Sequence, residues 1–282
     1  MNKKLLAIYG LKWNPFSPEI PVDGLRLGPN IESFTWRVEN LAREGGFAFL
    51  TGLHGMGKSA TLRVLVDRLS KLPEVRVGQL TRPQAAIADF YREIGDIFGV
   101  QLSPHNRWSG AKVLRQRWLS HIDASLFRPV LVIDEAQELL GPVLKELRLL
   151  SSADLDSRHL LTVVLAGDMS LAEKLRNDDS ALSSRMRVRL TLEPLTPEAL
   201  VECLKQVLHA AGNPKLMTTE LMIVLAEHAA GNPRSLMQMA EEMLAVGAQR
   251  EVKQLDEKLY LDVFAVQAPA ERSPKREQGR RR

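Results

Sequence analysis

Eight consecutive residues, Gly52-Leu53-His54-Gly55-Met56-Gly57-Lys58-Ser59, have the types and spacing to hold a phosphate chain. The order G-x-x-x-x-G-K-S supplies glycines that let backbone amides wrap a polyanion, a lysine for the outer phosphates and a hydroxyl for a divalent cation. On this reading Gly52, Gly55, Met56, Gly57, Lys58, Ser59 and Ala60 bind ATP, with Lys58 on the β- and γ-phosphates and Ser59 on Mg2+. Much further on, Asp134-Glu135 closes the apolar run Pro129-Val130-Leu131-Val132-Ile133. Asp134 would hold Mg2+ through water, and Glu135 would orient and polarise an attacking water. Phosphoryl transfer needs mostly positioning and charge stabilisation, so this set suffices in kind for ATP hydrolysis. A glycine-rich turn without a ligand and a solvated acid pair are the plain alternatives. The two halves occurring together, each at the end of an apolar run, argue against both.

These residues need a scaffold of strands and helices, and the hydrophobic pattern supplies one. Phe47–Thr51 is a short apolar run of strand type, and Leu62, Leu65, Val66, Leu69 and Leu72 follow at helical spacing. Strand, glycine loop, helix is the context the loop requires. Ahead of it, proline-rich residues 9–30 read as an ordered loop, and a helix is expected from Asn30, as N-cap, to Gly45-Gly46. Further strands are expected over Val75–Leu80, Pro129–Glu135, Leu160–Ala166 and Val188–Leu192. Helices are expected over Ala85–Phe98, Ala111–Ile122, Pro142–Leu150, Leu171–Leu175 and Ser180–Ser184, and residues 103–110 read as a polar loop. Alternating strands and helices predict an α/β fold whose five-stranded parallel sheet is covered on both faces. After Pro194 the strand signal ends. Pro197–Ala211, with Thr196 as cap, Thr219–Ala230 and Pro233–Ala248 read as three helices of a small helical domain. The expected organisation is an α/β nucleotide-binding domain over 1–194, a helical domain over 195–266 and a disordered basic tail over 267–282.

Composition narrows the setting. Of 282 residues 45% are hydrophobic, which suits a globular chain, and the single Cys203 excludes a disulfide framework or a cysteine-rich zinc site. A reducing cytoplasm is expected. The apolar run at Leu5–Ile8 stops at Gly10, too short for a signal sequence, and no stretch is long and apolar enough to span a membrane. The net charge is +4, and residues 271–282 alone hold six basic and two acidic side chains. The basic balance therefore belongs to the tail, and residues 1–270 are neutral in sum.

Several further stretches carry a resemblance. They are Tyr9-Gly10-Leu11 with Asn14-Pro15-Phe16, Leu131 to Gln137 (LVIDEAQ), Glu146-Leu147-Arg148-Leu149-Leu150, Val164-Leu165-Ala166-Gly167, Leu192-Glu193-Pro194-Leu195 and Gly231-Asn232-Pro233-Arg234. Together, over about residues 5–250, the chain resembles an AAA+ ATPase of the ExeA-like, secretion-ATPase-like branch. Transposition ATPases of the MuB, IstB and TnsC kind share this plan. The resemblance implies a P-loop AAA+ domain followed by an all-α lid. It puts the first-sensor position on Asp168, where an amide would be expected; a carboxylate there would repel a γ-phosphate, slowing hydrolysis unless it points away. It puts an arginine finger, reaching into a neighbouring subunit's site, on Arg185, and so implies a homo-oligomeric ring or filament. It puts the second sensor on Arg234. Tyr9, Pro15 and Phe16 either line the adenine pocket or serve a core or interface, since aromatics bury large area wherever they sit. His54 is given no role.

What ATP is used for is read from charge. Residues 97–122 hold no acid but include Arg107, Lys112, Arg115 and Arg117, with Trp108 and Trp118 interleaved, and Arg82 follows the second strand. These five bases are the candidate DNA contacts; the plain alternative is the solvated face of a helix whose core stripe is Val113, Leu114 and Trp118. The first reading is an oligomer that assembles with ATP on DNA, mostly without sequence preference, and regulates a partner, a transposase above all. The second is a secretion or assembly ATPase that remodels a protein partner without DNA. Secretion members of the branch join the ATPase to a membrane anchor and a cell-wall-binding region; this chain shows neither, so the first reading, with no membrane, is expected. A third, compatible with both, is a switch that binds ATP and scarcely hydrolyses it.

Overall fold

The computed structural model describes residues 3–25, 28–101, 107–124, 126–154, 157–178 and 180–264. The chain opens with α1 (Lys3–Tyr9) and passes through a 3-10 turn at Val22–Gly24 into α2 (Pro29–Glu44). Next come β1 (Gly46–Gly52), α3 (Lys58–Ser70), β2 (Val75–Leu80), α4 (Ile87–Phe98), α5 (Arg107–Asp123) and β3 (Arg128–Ile133). After α6 (Gly141–Leu150), the two-residue strands β4 (Ser152–Ala153) and β5 (Arg158–His159) form an antiparallel hairpin. Then follow β6 (Thr162–Gly167), α7 (Ser170–Asp178), α8 (Ser180–Ser184) and β7 (Met186–Leu192). Four helices complete the described chain: α9 (Pro197–Ala211), α10 (Thr219–His228), α11 (Pro233–Gln249) and α12 (Glu257–Phe264).

The main sheet has five parallel strands in the order β2-β3-β6-β1-β7. Side chains alternate along each strand, so one strand feeds two cores. Phe47, Phe49, Leu131, Ile133, Val163 and Leu165 pack under α4 to α8, while Ala48, Leu50, Val130, Val132, Val164 and Ala166 pack under α2 and α3. Burial on both faces is what makes these strands read as continuous apolar runs. The registers pair Thr51 with Gly167, Leu165 with Ile133 and Ile133 with Leu80. The loop after β1, Asp134-Glu135, Asp168 and Arg82 therefore leave the sheet from one edge, the carboxyl ends of the strands, where open α/β sheets bind ligands.

A third core joins the helices after Pro194 to the chain's beginning. Tyr9, Leu11, Phe16 and Ile20 are buried with Leu200, Leu204, Leu225, Leu236 and Leu244. Asn14 ties this segment down, donating to Glu241 Oε1 at 2.8 Å and accepting from the Phe16 amide. From the other side Arg63 of α3 donates to the carbonyls of Pro18 and Ile20. The N-terminal stretch thus bridges the helix that follows the phosphate loop and the helical region.

Several expected boundaries shift, each for a local reason. The first long helix starts at Pro29 with Gly28 at its N-cap, not at Asn30, because proline at N1 is pre-set for the first turn. Residues 107–110, expected in a loop, are helical: Gly110 is buried against Tyr91, so the glycine is a contact point and not a breaker. The rest of that expected loop, 102–106, lies outside the described residues. The third strand ends at Ile133, leaving both carboxylates in the turn beyond it. The fourth begins at Thr162, because Leu160 still bonds back to Ser151 from the hairpin. The final strand starts two residues early, at Met186. α1 and α12 were not expected at all. They are short, and α12 buries only Leu259 and Tyr260, too few positions to display a period. The tail from 267 lies outside the described residues.

Candidate nucleotide site

β1 delivers Gly52 to the sheet edge, and α3 begins at Lys58, so the phosphate loop spans strand end and helix start. Helix amides unpaired at that start aim partial positive charge into the loop. Lys58 is 6% exposed, and its Nζ donates to the carbonyls of Gly52 (2.9 Å) and Leu53 (3.1 Å). The ammonium is thereby kept inside the loop that it serves. Ser59 Oγ donates to Asp134 Oδ2 at 2.8 Å, which brings the two expected cation ligands together across the sheet edge. Hard oxygen donors beside a cradle of amides and one ammonium fit Mg2+ and a nucleotide. Ser59 and Asp134 would hold the cation, which when bound neutralises charge on the phosphate oxygens.

Glu135 sits in the left-handed region (φ 49°) and is exposed. For a residue other than glycine that backbone costs on the order of 1–3 kcal/mol and recurs where a side chain is held for function. Its amide donates to Asp134 Oδ1 at 2.9 Å, and its Oε2 accepts from Gln137 Nε2 at 2.5 Å. Asp168, one residue past β6, accepts from the Ser170 amide (2.9 Å) and hydroxyl (2.5 Å). The Ser170 hydroxyl, then its amide, and then the charges of His54 and Lys58 hold the Asp168 carboxyl below its ordinary range, against an opposing push from burial. His54 Nε2 lies 3.9 Å from Asp168 Oδ2.

The helical region reaches the loop directly. The Arg234 amide donates to the Gly55 carbonyl at 3.2 Å, and its side chain is exposed. Asn232 caps α11 by accepting from the amides of Arg234 and Ser235, and its Nδ2 donates to the His54 carbonyl at 3.2 Å. Gly55 has φ 83°, and a Cβ there would collide with the Asn232 amide, so this loop and this cap require glycine. Asn232 and Gln137 belong to stretches that carry the resemblance, but the sequence assigns neither a role. An Asn-Pro pair ahead of an apolar period signals a cap, but the reach of either side chain across the site has no sequence signature.

Other expected residues lie elsewhere. Tyr9 and Phe16, 4% and 3% exposed, are in the helical core. Arg185 is half-buried in the turn between α8 and β7. Met186 pairs with Phe47 and Leu192 with Gly52, and Arg185 precedes Met186 by one residue, so about six strand steps, or about 20 Å, separate Arg185 from its own phosphate loop along the sheet. Arg187 and Arg189 beside it are engaged locally, with Glu44 and with the Ser183 carbonyl. Arg82 is exposed past β2 on the loop's edge of the sheet. On α5, Lys112 and Arg117 are exposed, Arg115 is half-buried, and the side chain of Arg107 lies outside the described residues. Of the stripe expected to be buried beside them, Leu114 and Trp118 are buried but Val113 is 40% exposed.

Comparison with known proteins agrees with this arrangement. Residues 41–175 match the model of a family described as AAA domain. General secretion pathway protein A of Aeromonas hydrophila is 31% identical over 205 residues, covering 71% of this chain and 37% of that protein. The chain thus spans little more than a third of the length of the curated relative it matches. Among solved structures, Drosophila ORC bound to DNA superposes with a TM-score of 0.70 at 19% identity, covering 94% of this chain and 66% of that one. Cdc6p from Pyrobaculum aerophilum gives 0.68 at 19% identity, covering 86% and 67%. At such identity the two structures speak to fold alone. No described helix is long and apolar enough to cross a membrane. The chain is a P-loop ATPase with the AAA+ fold, and its homology to General secretion pathway protein A supports the ExeA-like branch.

Proposed function

We propose that this ATPase assembles with ATP into an oligomer on DNA, with little sequence preference, and regulates a protein partner, a transposase being the partner class put forward. Residues 1–194 form the nucleotide-binding body and 195–266 the lid, with the N-terminal stretch docked on the lid; the setting is a reducing cytoplasm. Lys58 grips the outer phosphates, Ser59 and Asp134 hold Mg2+, Glu135 orients the attacking water, and Arg234 reports nucleotide state to the lid. The observation that carries the reading is the bond from the Arg234 amide to the Gly55 carbonyl, together with that from Asn232 to the His54 carbonyl. Lid and phosphate loop share a boundary, so a change in loop occupancy is felt by the lid. Support for DNA comes from the exposed Lys112 and Arg117 on α5 and from Arg82 on the site's edge, and the fold it shares with a DNA-bound protein is consistent with it.

Duplex binding of the full chain, followed by fluorescence anisotropy with ATP, ADP or no nucleotide, tests this. Binding should require ATP, weaken steeply with salt and persist when the chain is cut before Gln267. A Lys112→Glu/Arg117→Glu double variant should bind less tightly at every sequence. Homology to General secretion pathway protein A favours the second reading, an assembly ATPase acting on a protein. Nucleotide-independent binding that vanishes with the tail would turn the assignment to it.

A further inference from the structure

The resemblance implies an amide just past the end of β6, and the chain has Asp168 there instead. The structure puts an amide at that end from a different element. Gln137 lies in the 3-10 turn Ala136–Glu138, directly after the Asp134-Glu135 pair. Its Nε2 donates to Glu135 Oε2 at 2.5 Å, and its Oε1 accepts from the Asp168 backbone amide at 3.2 Å. The orientation of the amide is set by its partners: a carboxylate needs a donor and an N–H needs an acceptor, so a flip would break both bonds. The Asp168 carboxylate is occupied with capping α7 through Ser170. Residue 167 has to be glycine for this placement, because a Cβ on Gly167 would stand 2.5 Å from Gln137 Oε1 and 2.8 Å from Leu171 Cδ2.

We infer that Gln137 is a positioning residue for hydrolysis: it fixes the Glu135 carboxylate against the end of β6 and supplies the amide that Asp168 does not. The inference rests on the assignment of Glu135 as the residue that orients water. Glu135 is exposed on a strained backbone, and a carboxylate in that position samples several rotamers unless one oxygen is held. Gln137 holds Oε2 and leaves Oε1 to face a water. Partners that orient metal-binding side chains are worth about 10- to 100-fold in affinity or activity, and a side chain that orients the Glu135 carboxylate should act on the rate to a like extent.

Single-turnover ATP hydrolysis by the full chain at saturating Mg-ATP, with nucleotide affinity measured in parallel, decides the matter. Gln137→Ala should lower the rate by about 10- to 100-fold and leave the nucleotide dissociation constant unchanged. Gly167→Ala, which pushes the Gln137 amide aside, should give the same split. In a Glu135→Gln background the Gln137→Ala change should cost nothing more, because the group it positions is gone; damage to the fold alone would add instead. A Gln137→Ala rate equal to or above the parent's, or a loss that is additive with Glu135→Gln, overturns the positioning role. If Glu135→Gln itself turns over like the parent, the assignment of Glu135 falls first and that of Gln137 with it. If Glu135→Gln is slow and Gln137→Ala is not, only Gln137 is misassigned.

Discussion

Asp168 carries a full negative charge close to the phosphate loop, and its bonds explain how the site tolerates it. Capping α7 through Ser170 turns one oxygen away, and the other is 3.9 Å from His54 Nε2. Its pKa is held below the ordinary carboxylate value, chiefly by the Ser170 hydroxyl. A carboxyl shifted down stabilises the fold above its unfolded-chain pKa of about 3.9, and that contribution disappears as pH falls through the lowered folded value. An Asp168→Asn variant keeps the cap acceptor and loses the charge. Its melting temperature should lie modestly below the parent's at pH 7 and meet the parent's once pH has fallen through the lowered folded value, a convergence that thermal melts across pH would reveal. Asp168 does not titrate near neutrality, so the pH profile of hydrolysis between 6 and 8 should be the same in both chains.

At the scale of elements, the telling contact is between α11 and the phosphate loop. Asn232 closes the first turn of the helix and also donates to the His54 carbonyl. Truncation removes two functions at once. Asn232→Ala should cost about 1 kcal/mol of stability as a lost cap, and should also uncouple the lid, so that added nucleotide raises the melting temperature less than it does in the parent. A plain capping defect would lower both melting temperatures and leave the nucleotide-induced rise intact. How far such elements were legible follows from the signals they carry. The loop, β1, α3 and β3 were legible because glycine spacing, apolar runs and helical period coincide there. α1 and α12 were not, being too short for a period, and the polar stretch 107–110 reads as loop although it is helical, with Gly110 in contact with Tyr91. Within the site, the Ser59–Asp134 pairing was predictable from motif logic. The roles of Gln137 and Asn232 were not, because each depends on which backbone group a side chain meets across a fold that brings together residues distant in sequence.

For the whole molecule the question is whether one chain holds a complete site. Arg185 is at the amino-terminal end of β7, about 20 Å along the sheet from its own loop, farther than an arginine side chain extends. If Arg185 stabilises the transferring phosphoryl group, it does so for a neighbour, and each subunit's site is completed by the next. Two variants separate this from any role within one chain. Lys58→Ala lacks the phosphate grip and keeps Arg185; Arg185→Ala keeps the grip and lacks the arginine. Each alone should be nearly inactive, since removing an arginine finger costs about 10³- to 10⁵-fold. Mixed, they should regain part of the parent's hydrolysis, because an intact loop on an Arg185→Ala chain then meets an intact Arg185 on a Lys58→Ala neighbour. The recovery should peak at intermediate mixing ratios and fall on dilution, as an intersubunit site must. Mixtures no more active than their components, at concentrations where the parent is oligomeric, would confine Arg185 to its own chain, and with that the proposed ring or filament would lose its catalytic reason to form.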